Sequence, residues 1–406
     1  MEYFTHTLDN GIRIIHKPVS SVIAHFGLFI NTGSRDEEEN EHGLAHLIEH
    51  AIFKGTKKRK SYHIFSRLED VGGELNAYTT KEETCIHASF LKNDTLRALE
   101  LICDLTFNST FPEKEIEKEK EIIIDEINSY KDNPSEQIFD DFEEMIYPHD
   151  ALGRNILGTP ESLKKFKRAD LFHFIKKNFN TDQIILCYVG DFDNLKLNKL
   201  INKYYAGFPS DFRLNGRKPV KSYNPVFKEE FKNTFQSHCI IGNTAYSYKD
   251  EKRLALHLLT NILGGPGMNS RLNLSLRERN GCTYNIESNY SPYIDTGIFI
   301  VYFGTDKENL EKSIRLTYKE FELLKNKKLG EIQLSKAKKQ LLGQLAIASE
   351  NNENLMISMG KSYMVFGKFD SLEEINNQVE SITADQILNV ANEILDKNRL
   401  STIIYK

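Results

Sequence analysis

The chain has 406 residues, with 53 basic and 58 acidic side chains and a net charge of −5. Its composition, 40% hydrophobic and 27% charged, can bury a sizeable core and excludes a disordered or collagen-like chain. No basic excess points to nucleic acid or an anionic membrane surface, and apolar runs of about six residues, as at 184–189 and 298–303, fall far short of the roughly 20 that a membrane helix needs.

Met1-Glu2-Tyr3-Phe4 is not read as the start of a secretory leader. Strands are predicted at 11–18 and 24–31, after a turn signal at Asp9-Asn10-Gly11. Apolar segments of helical period follow at 43–53, 62–71, 94–107 and 112–130, and 184–189 reads as a buried strand. Pro and Gly then cluster between 207 and 225, the best candidate for a linker. Beyond it the pattern repeats. A strand at 240–245 and an apolar helix at 254–263 match 24–31 and 44–53, and 281–285 with 297–304 matches 72–78 with 85–90.

The expected fold class is therefore α+β: two homologous α/β domains, each a mostly antiparallel sheet covered by helices, with a cleft between them. The expected boundaries are 1–212, a linker at 213–225, and 226–406. Cys85, Cys103, Cys187, Cys239 and Cys282 are odd in number and form no C-x-x-C pair, so neither a disulfide framework nor a zinc ribbon is expected. The expected compartment is the cytoplasm.

The chemistry concentrates in Gly43-Leu-Ala-His46-Leu-Ile-Glu49-His50-Ala-Ile-Phe53, where only His46, Glu49 and His50 are polar. At about 100° per residue, His50 lies about 40° from His46 and Glu49 about 60° to the other side. Three polar groups thus share one face of an oily helix. Burying them unpaired costs several kcal/mol each. A hydrogen-bonded core trio is the plain alternative, but a metal would compensate, since histidines at i and i+4 can both reach one ion. The H-x-x-E-H order leaves Glu49 beside that ion as a base.

A catalytic zinc site needs a third ligand. The candidate helix is 113–127. With Glu119 at 0°, Glu126 falls at about −20°, among Ile122, Ile123, Ile116 and Ile127, while Glu117, Glu121 and Asp125 fall on the far side. Glu126 is the preferred ligand and Glu119 its support, although the angles leave the two open. In the second repeat, aligning Leu44 with Leu254 puts Leu256, Leu259 and Thr260 opposite the polar trio, with His257 one position off. One repeat carries a metal motif and the other is degenerate.

His46-Leu-Ile-Glu49-His50, with Glu126 76 positions after His50, resembles the insulinase/pitrilysin (M16) metallopeptidases, a family of inverted zincins. The short two-domain form of that family includes the β subunit of mitochondrial processing peptidase. Gly33-Ser34-Arg35-Asp36-Glu37, Phe53-Lys54-Gly55-Thr56, the 72–79 and 264–272 segments, and Arg277-Glu278-Arg279-Asn280-Gly281-Cys282-Thr283-Tyr284 carry the resemblance further.

The resemblance implies that His46, His50 and Glu126 bind one Zn2+ per chain, with Glu49 as general base and Glu119 supporting the site. It implies that Arg277 and Tyr284 contact substrate and stabilise the reacting carbonyl. Asn76, Ala77 and Tyr78 would lie on an edge strand that binds peptide by strand addition. It further implies an endopeptidase working on peptides or unfolded segments inside a chamber formed by a homodimer. The alternatives are a heterodimer with a metal-free paralogue, or a non-catalytic peptide-binding or assembly subunit. Neither nucleic acid nor membrane is an expected partner.

Overall fold

The structure is a computed structural model, and it describes residues 3–214, 216–220, 223–232 and 234–406. In the first half of the chain the strands are β1 (Phe4–Thr7), β2 (Arg13–Pro18), β3 (Ile23–Ile30), β4 (Glu74–Thr79), β5 (Thr84–Leu91) and β6 (Ile184–Gly190). The helices are α1 (Leu44–Ala51), α2 (Ser61–Glu69), α3 (Thr95–Asn108), α4 (Glu113–Lys131), α5 (Pro134–Ile146), α6 (Pro160–Lys165), α7 (Arg168–Asn178) and α8 (Asn194–Tyr205). The expected turn at Asp9-Asn10-Gly11 joins β1 to β2, and Gly11 takes φ 96°, where a side chain would be strained.

The second half contributes β7 (Phe227–Glu230), β8 (Ser237–Thr244), β9 (Thr283–Pro292), β10 (Gly297–Thr305) and β11 (Ser401–Tyr405). Its helices are α9 (Arg253–Gly264), α10 (Leu310–Asn326), α11 (Glu331–Ser349), α12 (Asn352–Phe366), α13 (Leu372–Ser381) and α14 (Ala384–Ile394). Among the described residues, no helix is long and apolar enough to cross a membrane.

The two sheets share one topology. The first runs β1-β2-β6-β3-β5-β4 and the second β7-β11-β8-β10-β9. Strands β2, β6, β3, β5 and β4 thus correspond to β7, β11, β8, β10 and β9. In each set only the first pair is parallel. The α+β class and the internal repeat read from the sequence are both present.

Strands β6 and β10 are buried along their whole length, so each sheet needs cover on both faces. In the first sheet, Phe26, Leu28, Leu186 and Tyr188 face a core shared with α1, α3 and α8. Phe29, Ile185, Cys187 and Val189 face the other way, toward Met356 and Met359 of α12. In the second sheet, Ile240, Ile300, Tyr302 and Ile403 meet Ile138, Phe142 and Ile146 of α5. The cover helix of each sheet therefore comes from the opposite half of the chain.

The compact units follow this exchange. One comprises Met1–Asn128, Arg154–Lys218 and Ile347–Phe369, and the other Ser129–Gly153, Pro219–Ala346 and Asp370–Lys406. This differs from the continuous 1–212 and 226–406 division expected above. The physical reason is that an amphipathic helix shows which of its faces is buried but not which sheet buries it. The expected 213–225 linker also begins inside the first unit. Arg213 donates to the Asn31 carbonyl at 2.6 Å, and Arg217 grips Asp36 at 2.8 and 3.0 Å. Residues 215, 221 and 222 of that linker lie outside the described residues.

Helix α12 approaches its sheet closely because two glycines meet there. A methyl group on Gly360 would stand 2.3 Å from the fully buried Phe29 ring, and one on Gly27 would stand 2.6 Å from the Met356 sulfur. In an ordinary helix, Gly→Ala stabilises by about 1 kcal/mol. Here Gly360→Ala is expected to destabilise by about 1–3 kcal/mol through overpacking. Urea unfolding checks the sign.

Candidate metal centre

Helix α1 is placed by its first turn. Gly43 sits at φ 93°, and a side chain there would strike Gly158. The buried Glu37 carboxylate accepts hydrogen bonds from the Gly43 and Ala45 N–H groups at 3.0 and 2.8 Å, satisfying donors that a helix start leaves open. Burial pushes the Glu37 carboxyl up to about 8, and these two N–H groups work against that rise. Leu44, Ala45, Leu47, Ile48 and Ala51 then fill the core, which leaves His46, Glu49 and His50 on the remaining face.

Helix α4 brings the acids. Ile116, Ile123 and Ile127 are buried, as is Glu119, whereas Glu117, Glu121 and Asp125 are exposed, as the helical angles predict. Ile122, expected at the edge of the apolar stripe, is half exposed. Glu126 Oε2 lies 3.9 Å from His46 Nε2 and 3.9 Å from His50 Nε2. The histidine ring centres are 4.6 Å apart. All three candidate ligand atoms fall within 4.8 Å of one another.

Glu119 does a different job. Its Oε2 accepts from His50 Nδ1 at 3.2 Å, and its Oε1 pairs with Lys54 Nζ at 2.9 Å. With Nδ1 protonated, the His50 Nε2 lone pair is turned toward Glu126 and His46. The choice between Glu126 and Glu119 that helical angles left open is thus made by geometry: Glu126 faces both rings, and Glu119 stands behind one of them.

The electrostatics favour a cation. Burial, and secondarily His50, hold the His46 imidazole down to about 3, so it stays neutral. Burial also raises Glu49 and Glu126 above the ordinary carboxylate range; His50 opposes both rises, and Thr79 opposes that of Glu49. Among the described residues, the buried Glu49 Oε2 and His46 Nδ1 have no hydrogen-bond partner. The neutral His46 imidazole and poorly solvated carboxylates converging on one point are what a divalent ion relieves. A tetrahedral ion about 2.0–2.2 Å from each ligand sets the ligand atoms roughly 3.4 Å apart. The two 3.9 Å separations from Glu126, and a bound of 4.8 Å across all three atoms, close to that distance by side-chain adjustment, and the donor set fits zinc.

The substrate residues read from the sequence divide. Among the described strands, β4 lies at the sheet edge and pairs with β5 alone. Ala77 packs toward the core that holds α1, on the same side as Thr79 beside Glu49. Asn76 is exposed. Tyr78 faces the opposite side of the sheet and donates its hydroxyl to Glu83 at 3.0 Å, because strand side chains alternate. Arg277 and Tyr284 belong to the second unit. The Arg277 guanidinium lies 4.7 Å from the ring centre of the exposed Tyr284, and both line a groove of about 470 Å³ beside the 264–268 loop. His257 packs against Tyr290 at 4.6 Å, and burial holds it neutral, down to about 4. It is a packed histidine, and among the described residues it has no companions of a metal site.

Sequence reasoning gave no role to Glu37, Lys54 or Thr79. All three stand within segments that carried the family resemblance, which was the only signal available for them.

Comparison with known proteins gives the family. The model of "Insulinase (Peptidase family M16)" matches residues 14–160, and that of "Peptidase M16 inactive domain" matches residues 165–341. A protein named an uncharacterized zinc protease from Rickettsia felis is 33% identical over 98% of this chain and 96% of its own length. The chain belongs to peptidase family M16. Among its relatives, an uncharacterized zinc protease of Streptomyces coelicolor is 30% identical over 98% of this chain and 88% of its own length. Two solved structures share the fold at 20% identity. One is a peptidase M16 inactive domain from Pseudomonas fluorescens (TM-score 0.93, covering 100% of this chain and 98% of that one). The other is a protease from Helicobacter pylori (TM-score 0.92, covering 100% and 99%). The family's inactive-domain model falls mostly on the repeat that lacks the H-x-x-E-H trio.

Within this M16 chain, His50→Ala removes one of three candidate ligand atoms. The variant is expected to purify without stoichiometric zinc while keeping its fold, as read by metal analysis beside circular dichroism.

Proposed function

We propose that the protein is a zinc-dependent endopeptidase that cleaves peptides or unfolded segments, binding one zinc per chain through His46, His50 and Glu126. The observation that carries this reading is the convergence of those three candidate ligand atoms within 4.8 Å, beside Glu49, whose buried Oε2 has no hydrogen-bond partner among the described residues. The names of the relatives support it.

A zinc ion held by these residues supplies Lewis acidity toward a water and a scissile carbonyl. Glu49 takes a proton from the attacking water and delivers it to the leaving amine. The rise that burial imposes on Glu49 suits a group that must accept and release a proton. Glu119 fixes the His50 ring. The open edge of β4, next to Glu49 through Thr79, aligns an extended substrate by backbone hydrogen bonds, with Asn76 and Ala77 at its middle. Arg277 and Tyr284 serve as donors to the developing oxyanion.

The proposed assembly is a homodimer enclosing a chamber, in which the second copy supplies Arg277 and Tyr284. The exposure of Tyr284 supports a role that reaches beyond its own unit.

Glu49→Gln is expected to keep zinc and lose cleavage of a quenched peptide library by at least about a hundredfold, and a chelator should abolish cleavage by the native protein. Undiminished turnover in the variant would refute the base. Light scattering on the active enzyme is expected to give twice the chain mass, and a strictly monomeric active species would refute the shared site.

A further inference from the structure

We infer that Lys54 is a positioning residue of the metal centre, gripping one oxygen of Glu119 so that the other holds the His50 ring in its metal-binding orientation. The inference rests on the metallopeptidase reading above.

The Glu119 side chain is only 5% exposed, and its two oxygens have different partners. Oε1 meets the Lys54 ammonium at 2.9 Å, and Oε2 meets His50 Nδ1 at 3.2 Å. A carboxylate fixed at one oxygen by a charged donor presents the other in a defined direction. Lys54 stands four residues after His50, on the short helical turn Ile52–Lys54 that continues α1. Side chains at that spacing leave a helix on one face, so Lys54 and His50 close on the same acid.

The backbone after Lys54 is itself anchored. Thr56 and Arg59 both donate to the buried Asp104 of α3, at 2.7 and 2.6 Å, and Arg59 also pairs with Glu100. Among the described residues, Lys54 makes no second ion pair. Glu115, one turn before Glu119, is also close enough to feel its charge, but Glu115 is held by Lys118 at 2.9 Å. The two histidines consequently differ. His50 has a support two side chains deep, whereas Nδ1 of His46 has no hydrogen-bond partner among the described residues. The directional hold of the site on its ion leans on the His50 side, and Lys54 is the outer end of that support.

The test is zinc affinity, measured by competition with a chromophoric chelator. Lys54→Met keeps the apolar stem and is expected to weaken zinc binding about 10–100-fold, the range for groups that orient a ligand from behind. Lys54→Arg, which keeps the charge, should recover most of that loss. In a Glu119→Gln background, Lys54→Met should add less than about threefold, since the carboxylate it holds is gone. If Lys54→Met does not fold, Lys54→Gln is measured in its place.

Native affinity in the charge-removed variant would overturn the inference. So would the full loss persisting in the Glu119→Gln background, which would assign Lys54 a separate role. A native protein that binds no zinc would overturn the metallopeptidase reading itself, an outcome distinct from either of these.

Discussion

An oily helix that buries two imidazoles and a carboxylate creates an electrostatic debt, and the site is organised around settling it. Unpaired, each such group costs several kcal/mol. The fold answers with a second helix whose inward acids arrive at the same point. Glu126 completes a candidate three-ligand set, and Glu119 accepts from the Nδ1 side of one ring. The supporting parts follow from that requirement. Glu37 ties down the start of α1, Gly43 lets the chain pass Gly158, and Asp104 anchors the loop beyond.

Much of this was legible in the residues because helical geometry is local. The angles of 46, 49 and 50, and of 119 and 126, follow from 3.6 residues per turn. The burial of Glu119 among isoleucines and the exposure of Glu117, Glu121 and Asp125 agree with them. What the angles left open, which acid is the ligand, depended on the relative placement of two helices about 70 residues apart in sequence, and periodicity does not encode that. The role of Lys54 was hidden for the same reason. A lysine in a turn looks like a solvated charge until the acid opposite it is known.

The fold divided along the same line. The repeat was visible because each half has the same succession of strand, oily helix, strand pair and charged helices, and both sheets have the same strand order. The partition into compact units was not. Helix α5 is amphipathic and α12 is apolar over most of its surface, and each reads as part of the half that encodes it. The strands they cover are apolar on both faces, a sign that a cover exists but not of where in the chain it lies. Tyr78 makes the same point on a smaller scale. Its neighbours in sequence line the edge near the metal helix, but strand alternation turns it to the other face, where Glu83 holds its hydroxyl.

The exchange of cover helices has a consequence for biosynthesis. When a ribosome has made the first 218 residues, the six strands of the first sheet exist, but the surface formed by Phe29, Ile185 and Val189 is bare until 347–369 emerge. The nascent chain must therefore carry an apolar sheet face through the translation of more than a hundred further residues, a condition that favours chaperone capture. For the same reason neither half, cut at the 213–225 segment, contains a complete unit. Co-expressed fragments would have to trade α5 and α12 to become soluble, which makes this chain a natural candidate for split-protein complementation.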